Sequence, residues 1–322
     1  MKKILTVLSA AALLSASALA QDKTINVAVR ATFPELEGDY TTEVPSHQLK
    51  LLVGDENSTN AATGLQIPLT ETSPGLFTGQ VNIGNYDIED IRFVGWGTPW
   101  KPVPEPLFVV YYNDNIALRA SVPVLSPKKT PRQIQKKDGV LDRFYMYAPV
   151  SLKQQSDSTY VADVQLRFAN AYAKFNVYGK ARKMDKEEIL QSVTMTRYTK
   201  EEAQEEGINK PGNHINSNPY INGATGKIYN YTNGRTSETV LLKQPCTIAD
   251  RKKSDAVKVY MITYANGAGT RAQAFSYIKT ITVETDKAVY TKTYDALKYS
   301  RSVGDVTEFD LDLSTFKRKS KD

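Results

Sequence analysis

Residues 164–178 read VQLRFANAYAKFNVY, and this stretch decides the fold class. Its apolar side chains occupy even positions in the first half and odd positions in the second half. Strand side chains alternate with a period of two, so a β-bulge or tight corner near residues 169–170 would reconcile the two halves. We therefore predict a bent antiparallel sheet, with Lys174 on its outer or rim-facing side, where it should reach solvent or an acidic partner. The positions predicted to be buried are Phe168, Ala171, Ala173, Phe175 and Val177.

The same strand-like alternation recurs along the whole chain. The 19 tyrosines, with many Val and Thr residues, suit pleated and half-buried surfaces. Asn-Gly pairs between such runs are hairpin turn signals. Many short strands separated by turn residues predict an all-β protein built from β-sandwiches. The clearest alternating runs are 25–29, 77–83, 116–124, 257–264, 278–285 and 309–313.

Helix signals are confined to one place. Thr199 and Glu202 form a capping box, and the acidic stretch that follows ends at Gly207. The sequence therefore predicts one short surface helix.

The first twenty residues have the pattern of a signal peptide. Two lysines precede the apolar run Ile4–Leu14, and Ala18 and Ala20 occupy small-residue cleavage positions, so the mature chain is expected to start at Gln21. The alternative, a transmembrane anchor, needs about 20 apolar residues, and this run is shorter. The only cysteine is Cys246, so no lipid-accepting cysteine follows the run. We expect an exported protein without a transmembrane segment in the mature chain.

The mature chain is long enough for two domains, since single domains are typically 100–150 residues. The segment 126–139 is polar, basic and carries two prolines, which makes it the best boundary candidate. A long exposed loop within one domain is the alternative. We predict an N-terminal sandwich over 21–140 and a C-terminal sandwich over 141–322, with modest contact between them.

Charge argues against nucleic acid as a partner. The net charge of +6 includes the two signal lysines, and the tail 317–322 adds four basic residues to one acidic. The remaining body is close to neutral, without a basic stripe. The tail is expected to be a solvated, frayed end. Asp310 and Asp312 are interpreted as exposed polar positions on one strand face, and Cys246, among apolar neighbours, as a buried residue.

Catalytic and metal-binding patterns are missing from the sequence. His47 and His214 have no partner His or Cys at ligand spacing, and there is no GxSxG motif. NGATGKI (222–228) imitates a phosphate loop but is too short, and GAGTRA (267–272) lacks the helix that a dinucleotide fingerprint requires. We expect no enzyme activity, no cofactor and no metal.

Two short motifs are candidates for surface contacts. GWGTPWKPVPEP (95–106) holds Trp96 and Trp100 between glycines and prolines, which suggests a stiff loop for a glycan or protein partner. The alternative is that both rings cover one end of a sandwich core. Asp157-Ser158-Thr159 resembles the acceptor motif for O-linked sugars in some exported proteins of anaerobes, with Ser158 as the acceptor.

The segments DRFYMYAPV (142–150) and VQLRFANAYAKFNVYGK (164–180) resemble the fimbrillin and minor-fimbrillin (Mfa-like) family of Gram-negative anaerobes. ILQSVTM (189–195) and DVTEFDLDLS (305–314) resemble the strands that follow in that family, so the resemblance covers about 142–316. The residues that match the family's Phe-x-x-Ala-x-Ala-Lys pattern are Phe168, Ala171, Ala173 and Lys174.

The resemblance implies two tandem transthyretin-like β-sandwiches and a structural or adhesive subunit of a pilus, or fimbria, at the cell surface and outer membrane. Its partners would be other pilus subunits, joined by strand addition, and a host protein or glycan. Family pilins usually travel as lipoproteins, and this chain departs from them in lacking the lipobox. The alternative function is a secreted, non-polymerising β-sandwich module that binds glycans or host protein, outside the cell or in the periplasm.

The resemblance also implies proteolytic maturation. Family pilins lose an N-terminal segment to an arginine- or lysine-specific protease, and a strand from a neighbour fills the gap. Here the alternating strand TINVAVR (24–30) ends in Arg30, so cleavage after Arg30 would strip the first strand and leave an apolar groove. The alternative is that this strand stays in place.

Overall fold

Strands dominate the computed structural model. In the described part, no helix is long and apolar enough to cross a membrane. The described residues are 23–34, 48–55, 65–84, 88, 91–98, 107–112, 115–120, 132–135, 146–168, 171–180, 184–207, 215–216, 220–222, 228–229, 232–235, 237–263, 275–300, 302 and 304–321.

The described elements are 24 strands, one α-helix and short 3-10 turns. The first twelve strands are β1 (Lys23–Thr32), β2 (Gln48–Asp55), β3 (Leu65–Ser73), β4 (Leu76–Gly84), β5 (Ile91–Thr98), β6 (Leu107–Tyr112), β7 (Asn115–Ala120), β8 (Arg132–Gln135), β9 (Met146–Val150), β10 (Lys153–Ser156), β11 (Thr159–Gln165) and β12 (Arg167–Phe168). The others are β13 (Tyr172–Tyr178), β14 (Ile189–Arg197), β15 (Ile215–Asn216), β16 (Tyr220–Asn222), β17 (Ile228–Tyr229), β18 (Thr232–Arg235), β19 (Ser237–Thr247), β20 (Val257–Ile262), β21 (Phe275–Thr285), β22 (Ala288–Ser300), β23 (Val306–Asp312) and β24 (Lys317–Ser320), with helix α1 (Lys200–Glu205).

A nine-stranded sheet in the order β10-β11-β1-β4-β3-β2-β5-β9-β12 forms the first sandwich. Strand β3 pairs with β2 through its first half and with β4 through its second half, so it joins two layers. Strands β9 and β11 contact each other although five strands separate them in the sheet order. The sheet therefore folds over on itself, and apolar side chains from both layers share one core.

The second sandwich packs a three-stranded sheet, β20-β13-β23, against a six-stranded sheet, β24-β22-β21-β14-β19-β8. In the three-stranded sheet Phe175 stacks on Phe309 with ring centroids 5.5 Å apart. The six-stranded sheet contributes apolar residues of β14 and β21 to the core, among them Val193 and Ile281, which are fully buried. The predicted all-β sandwich class is therefore confirmed.

The strands on either side of residue 140 are interleaved, which differs from the predicted division into 21–140 and 141–322. Strands β9 to β12, from 146–168, pair within the first sandwich. Strand β8, from the predicted linker, pairs in parallel with β19 of the second sandwich. Strand β7, which precedes residue 140, pairs antiparallel with β16, which follows it. The alternating pattern marks a segment as a strand but carries no information about its partner, so the local boundary signal was misleading.

Residues 164–178 belong to two sandwiches, and not to one bent antiparallel sheet as predicted. Residues 164–168 end the first sandwich as β11 and β12, and 172–178 form β13, the central strand of a sheet in the second. The change of phase therefore marks the passage between sandwiches. All five positions predicted to be buried are buried.

Lys174 reaches an acidic partner, as predicted, but its side chain is buried and does not lie on an exposed rim. Lys174 is only 5% exposed, although it points away from the apolar core. Its Nζ atom instead lies 3.4 Å from Oε2 of Glu308 on β23. A central strand is flanked on both sides, and a 3-10 turn over Lys253–Asp255 contacts β13, which leaves little solvent access.

Three further predictions can be compared with the structure. Helix α1 is confirmed, with the Thr199 hydroxyl accepting from the Glu202 amide in the predicted capping box. Cys246 is buried, as predicted. The C-terminal tail is not frayed: β24 pairs with β22, and Lys321 lies 2.7 Å from a carboxylate oxygen of Glu284. Side-chain anchors of this kind cannot be read from a run of charges.

Candidate assembly and contact sites

Strand β1 is an interior strand of the first sandwich's sheet. It pairs in parallel with β11 and antiparallel with β4. One face of the strand is buried, with at most 5% exposure at Ile25, Val27, Val29 and Ala31, and the other face is open to solvent. Removing β1 would leave two unpaired strand edges and four apolar side-chain sites between them.

Arg30 lies within this strand and not at its end, which corrects the prediction. The strand continues through Ala31 to Thr32. The Arg30 backbone is paired with Asp163 on one side and Leu76 on the other. Its side chain is exposed, with Nε 3.7 Å from Oδ1 of Asp163. The peptide bond after Arg30 is thus held in the sheet, although the side chain is accessible.

Ser158 lies in the two-residue turn that joins β10 to β11, and its side chain is exposed. Its carbonyl oxygen accepts a hydrogen bond of 2.7 Å from the Asn26 amide at the start of the parallel pair. Every residue of the neighbouring edge strand β10 is exposed. The turn is accessible to a modifying enzyme, and its backbone helps to hold the register of β1.

The tryptophan loop predicted over 95–106 begins as a strand. Trp96 lies inside β5, where its backbone pairs with Lys50 of β2 and Tyr147 of β9. Trp100 lies outside the described residues. The loop prediction is therefore wrong for 95–98, because the two glycines there fit within a paired strand. A role for either ring in binding stays a prediction.

A charged cluster that the sequence did not reveal ties β13 to β23. Lys174 and Asn176 are buried on the same face of β13. Asn176 Nδ2 donates to Glu308 Oε1 at 2.5 Å and to Asp310 Oδ1 at 3.0 Å. Asp310 also lies 2.5 Å from Nζ of Lys253 in the 3-10 turn. We name these five residues the β13–β23 cluster.

The cluster stabilises its carboxylates in the charged form. The hydrogen bond from Asn176, followed by the charge of Lys174, lowers the pKa of Glu308. The hydrogen bond from Lys253, followed by that from Asn176, lowers the pKa of Asp310. Asp310, interpreted from the sequence as a simple exposed position, is therefore part of a network. The only sequence signal was the pairing of two polar positions, 174 and 176, within an apolar strand.

A second buried network anchors the C-terminal strand. Glu188 is fully buried and accepts hydrogen bonds from Thr285 at 2.6 Å and from the Tyr290 hydroxyl at 2.9 Å. Burial, together with the Glu188 carboxylate, raises the pKa of Tyr290 to about 12. Arg318 of β24 donates to the Tyr290 hydroxyl at 3.1 Å and lies 3.6 Å from Asp185. The network fixes β24 at the sheet edge.

Arg197 is the most unusual buried side chain in the described part of the second sandwich. It is 1% exposed, and none of its three guanidinium nitrogens has a hydrogen-bond partner. Its charge lies 5.3 Å from the centroid of the Tyr299 ring, a cation–π distance. The polar group lies on the same face of β14 as Met195, which faces the core.

The described residues around these sites contain no group of metal-binding side chains. Among the residues that the structure describes, no three His, Cys, Asp or Glu side chains are grouped to hold a metal ion. His47, His214 and the 267–272 segment lie outside the described residues, as does most of 222–228.

No protein-family model and no curated protein matches this chain. The chain is similar to several solved structures. A proposed cell adhesion protein from Bacteroides ovatus ATCC 8483 is 10% identical, with 92% of this chain and 95% of that chain covered and a TM-score of 0.46.

The tip fimbrial protein Mfa3 from Porphyromonas gingivalis, with C-terminal truncation, is 12% identical, with coverage of 92% and 98% and a TM-score of 0.41. A fimbrial assembly protein from Parabacteroides distasonis ATCC 8503 is 14% identical, with coverage of 92% and 98% and a TM-score of 0.36. Because these TM-scores lie below 0.5, the functional proposal rests on the residues and strands of this chain.

Proposed function

We propose that the protein is an exported, non-enzymatic, fimbrillin-like surface protein that serves as a structural or adhesive subunit of a pilus. The observation that carries the proposal is the place of the family-like segment in the fold. Phe168 ends the first sandwich, and Ala171 directly precedes the central strand of the second, in which Ala173 and Lys174 lie. The residues that resemble the family therefore lie on both sides of the passage from one sandwich to the other.

Strand β1 supports assembly by strand addition. It supplies four buried apolar side chains, and its loss would open two strand edges along the same groove. An extended segment of a neighbouring subunit with the same alternation would restore both the core and the hydrogen bonds. Because the Arg30 backbone is paired on both sides, a protease would have to act before folding or after local opening of β1.

The test compares three forms of the protein on the cells that make it: wild type, Arg30→Ala, and Lys23→Ala as a matched control. Both residues are exposed and basic, and both lie on β1. If maturation follows cleavage at Arg30, wild type and Lys23→Ala start at Ala31 and form filaments visible by electron microscopy, while Arg30→Ala retains the first strand and does not assemble. Wild type that starts at Gln21 and assembles as well as Arg30→Ala would eliminate processing but keep the pilus function.

The same experiment separates the alternative, a non-polymerising binding module. A surface protein that forms no filaments in any variant, but that binds a glycan array as purified protein, would favour the module. Loss of that binding in Trp96→Ala, with unchanged thermal unfolding, would assign the contact to β5. Retained binding would exclude Trp96 from the glycan contact.

A further inference from the structure

Each sandwich contains one long parallel strand pair that joins an early strand to a strand near its end. In the first sandwich β1 pairs in parallel with β11 over seven residue pairs, from Asn26↔Thr159 to Thr32↔Gln165. In the second, β13 pairs in parallel with β23 over seven pairs, from Tyr172↔Val306 to Tyr178↔Asp312. The other strand pairs in the described part of the chain are antiparallel, except for the short parallel β8–β19 pair.

This topology determines how tension would act on the fold. When the chain is pulled at Lys23 and Lys321, the force on β1 acts at its first residue and points towards the N-terminus. The force on β11 acts at its last residue, where the chain continues to β12, and points towards the C-terminus. The same reasoning applies to β13, drawn from Tyr172, and to β23, drawn from Asp312. Because the strands of each pair run in the same direction, the two pulls slide them past each other along their length.

We propose that the two parallel pairs act in series as clamps that resist tension along the chain. Sliding strains the evenly spaced bonds of a parallel ladder together, so all of them must yield within a short displacement. Opening a ladder from one end would break the same bonds one at a time. The clamps add a mechanical function to the proposed surface role, and they are properties of the isolated chain whether or not it forms filaments.

Side-chain contacts are placed across these pairs, which supports the proposal. In the second sandwich, Lys174 faces Glu308 in direct register at 3.4 Å, and the Phe175 ring stacks on the Phe309 ring. Asn176 bridges to two successive acidic residues of β23, which would resist a register shift between the strands.

The first sandwich shows the same arrangement in a weaker form. Arg30 lies in register with Asp163, with 3.7 Å between the charged atoms, and both side chains are exposed. The Asn26 amide donates to the Ser158 carbonyl at the start of the pair. We therefore expect the first sandwich to yield before the second when the chain is stretched from its ends.

Single-molecule force spectroscopy tests the proposal by changing the direction of pull. The mature chain is stretched from both ends, and in a second geometry from its N-terminal end and a handle at Val306→Cys, in a Cys246→Ala background. Val306 is 40% exposed and begins β23, so this handle opens the β13–β23 ladder from one end. At the same constant force, the second sandwich should survive at least about tenfold longer when it is stretched from both ends.

A side-chain variant makes the test specific. Lys174→Met should shorten the lifetime of the second sandwich about tenfold in the end-to-end geometry and much less in the Val306 geometry. Lys279→Met is the matched control, since it removes a 2.5 Å ion pair to Glu202 that lies outside both parallel pairs. It should leave the lifetime unchanged in both geometries.

Equal lifetimes in the two geometries would overturn the proposal, and so would equal effects of the two lysine variants. The two geometries can be compared in one Val306→Cys, Cys246→Ala chain, so the comparison remains decisive even if Lys174→Met fails to fold. Failure here would not affect the pilus function, which is judged by filaments on cells.

Discussion

Strands β1 and β13 are each flanked by a strand on both sides, but their surroundings differ. Both pair in parallel with a late strand of their sandwich. Strand β1 buries one face and exposes the other, whereas six of the seven residues of β13 are buried. Strand β13 is thus held on both faces and β1 on one face only, which is why the proposed strand exchange is placed at β1.

The largest expected effect comes from the core of β13. Phe175→Ala removes a fully buried ring that stacks on Phe309, and it should lower the free energy of unfolding by about 3–5 kcal/mol. Urea unfolding of the purified mature chain measures the change. The matched control is Val27→Ala in β1, which removes fewer buried atoms and should cost less. A Phe175→Ala cost below about 1 kcal/mol would contradict the assigned burial.

The next largest expected effect is the difference in stability between removing the ion pair across one parallel ladder and removing the ion pair across the other. Lys174 is buried, but Glu308 is about half exposed, with 52% side-chain exposure, so Lys174→Ala should cost about 1–2 kcal/mol. Arg30→Ala should change stability by less than about 0.5 kcal/mol, because Arg30 and Asp163 are both exposed. Equal costs in urea unfolding would remove the distinction between the two pairs.

A smaller effect of opposite sign is expected at the end of the second core. Arg197→Met removes a buried guanidinium without hydrogen-bond partners and keeps a side chain of similar length. The lost cation–π contact with Tyr299 offsets part of the gain, so stability should rise by about 1 kcal/mol. A higher melting temperature is the readout. A clear loss of stability would show that Arg197 has a stabilising role.

The smallest effect is a dependence on pH that should be stronger in the second sandwich. The pKa values of Glu308 and Asp310 are lowered from ordinary values of 4.5 and 3.8 in the folded state. Protonation therefore favours the unfolded state, and the stability that these groups supply is present above about pH 4.5 and lost progressively below it. As the pH falls from 5 to 3, hydrogen exchange should show a larger increase in the opening rate of β13 than of β1. The increase at β13 should be smaller in Glu308→Gln.

Comparison of particular residues shows what the sequence could predict. The burial of Phe168, Ala171 and Phe175 followed from alternation, because a period of two is a local property of a strand. The capping box at Thr199 was equally local and equally correct. An acidic partner for Lys174 was expected, but its burial was not, because the strands that flank β13 and the partner Glu308 lie far later in the chain.

The sequence by itself determined the all-β class, the positions of many strands and the place where the buried face changes. Only the tertiary structure decided that this change is a passage between sandwiches, that β8 and β9 to β12 cross the expected boundary at residue 140, and that an early strand of each sandwich pairs in parallel with a late one. The physical reason is that alternation reflects burial of one strand at a time, whereas pairing depends on backbone hydrogen bonds that every strand can offer to any other.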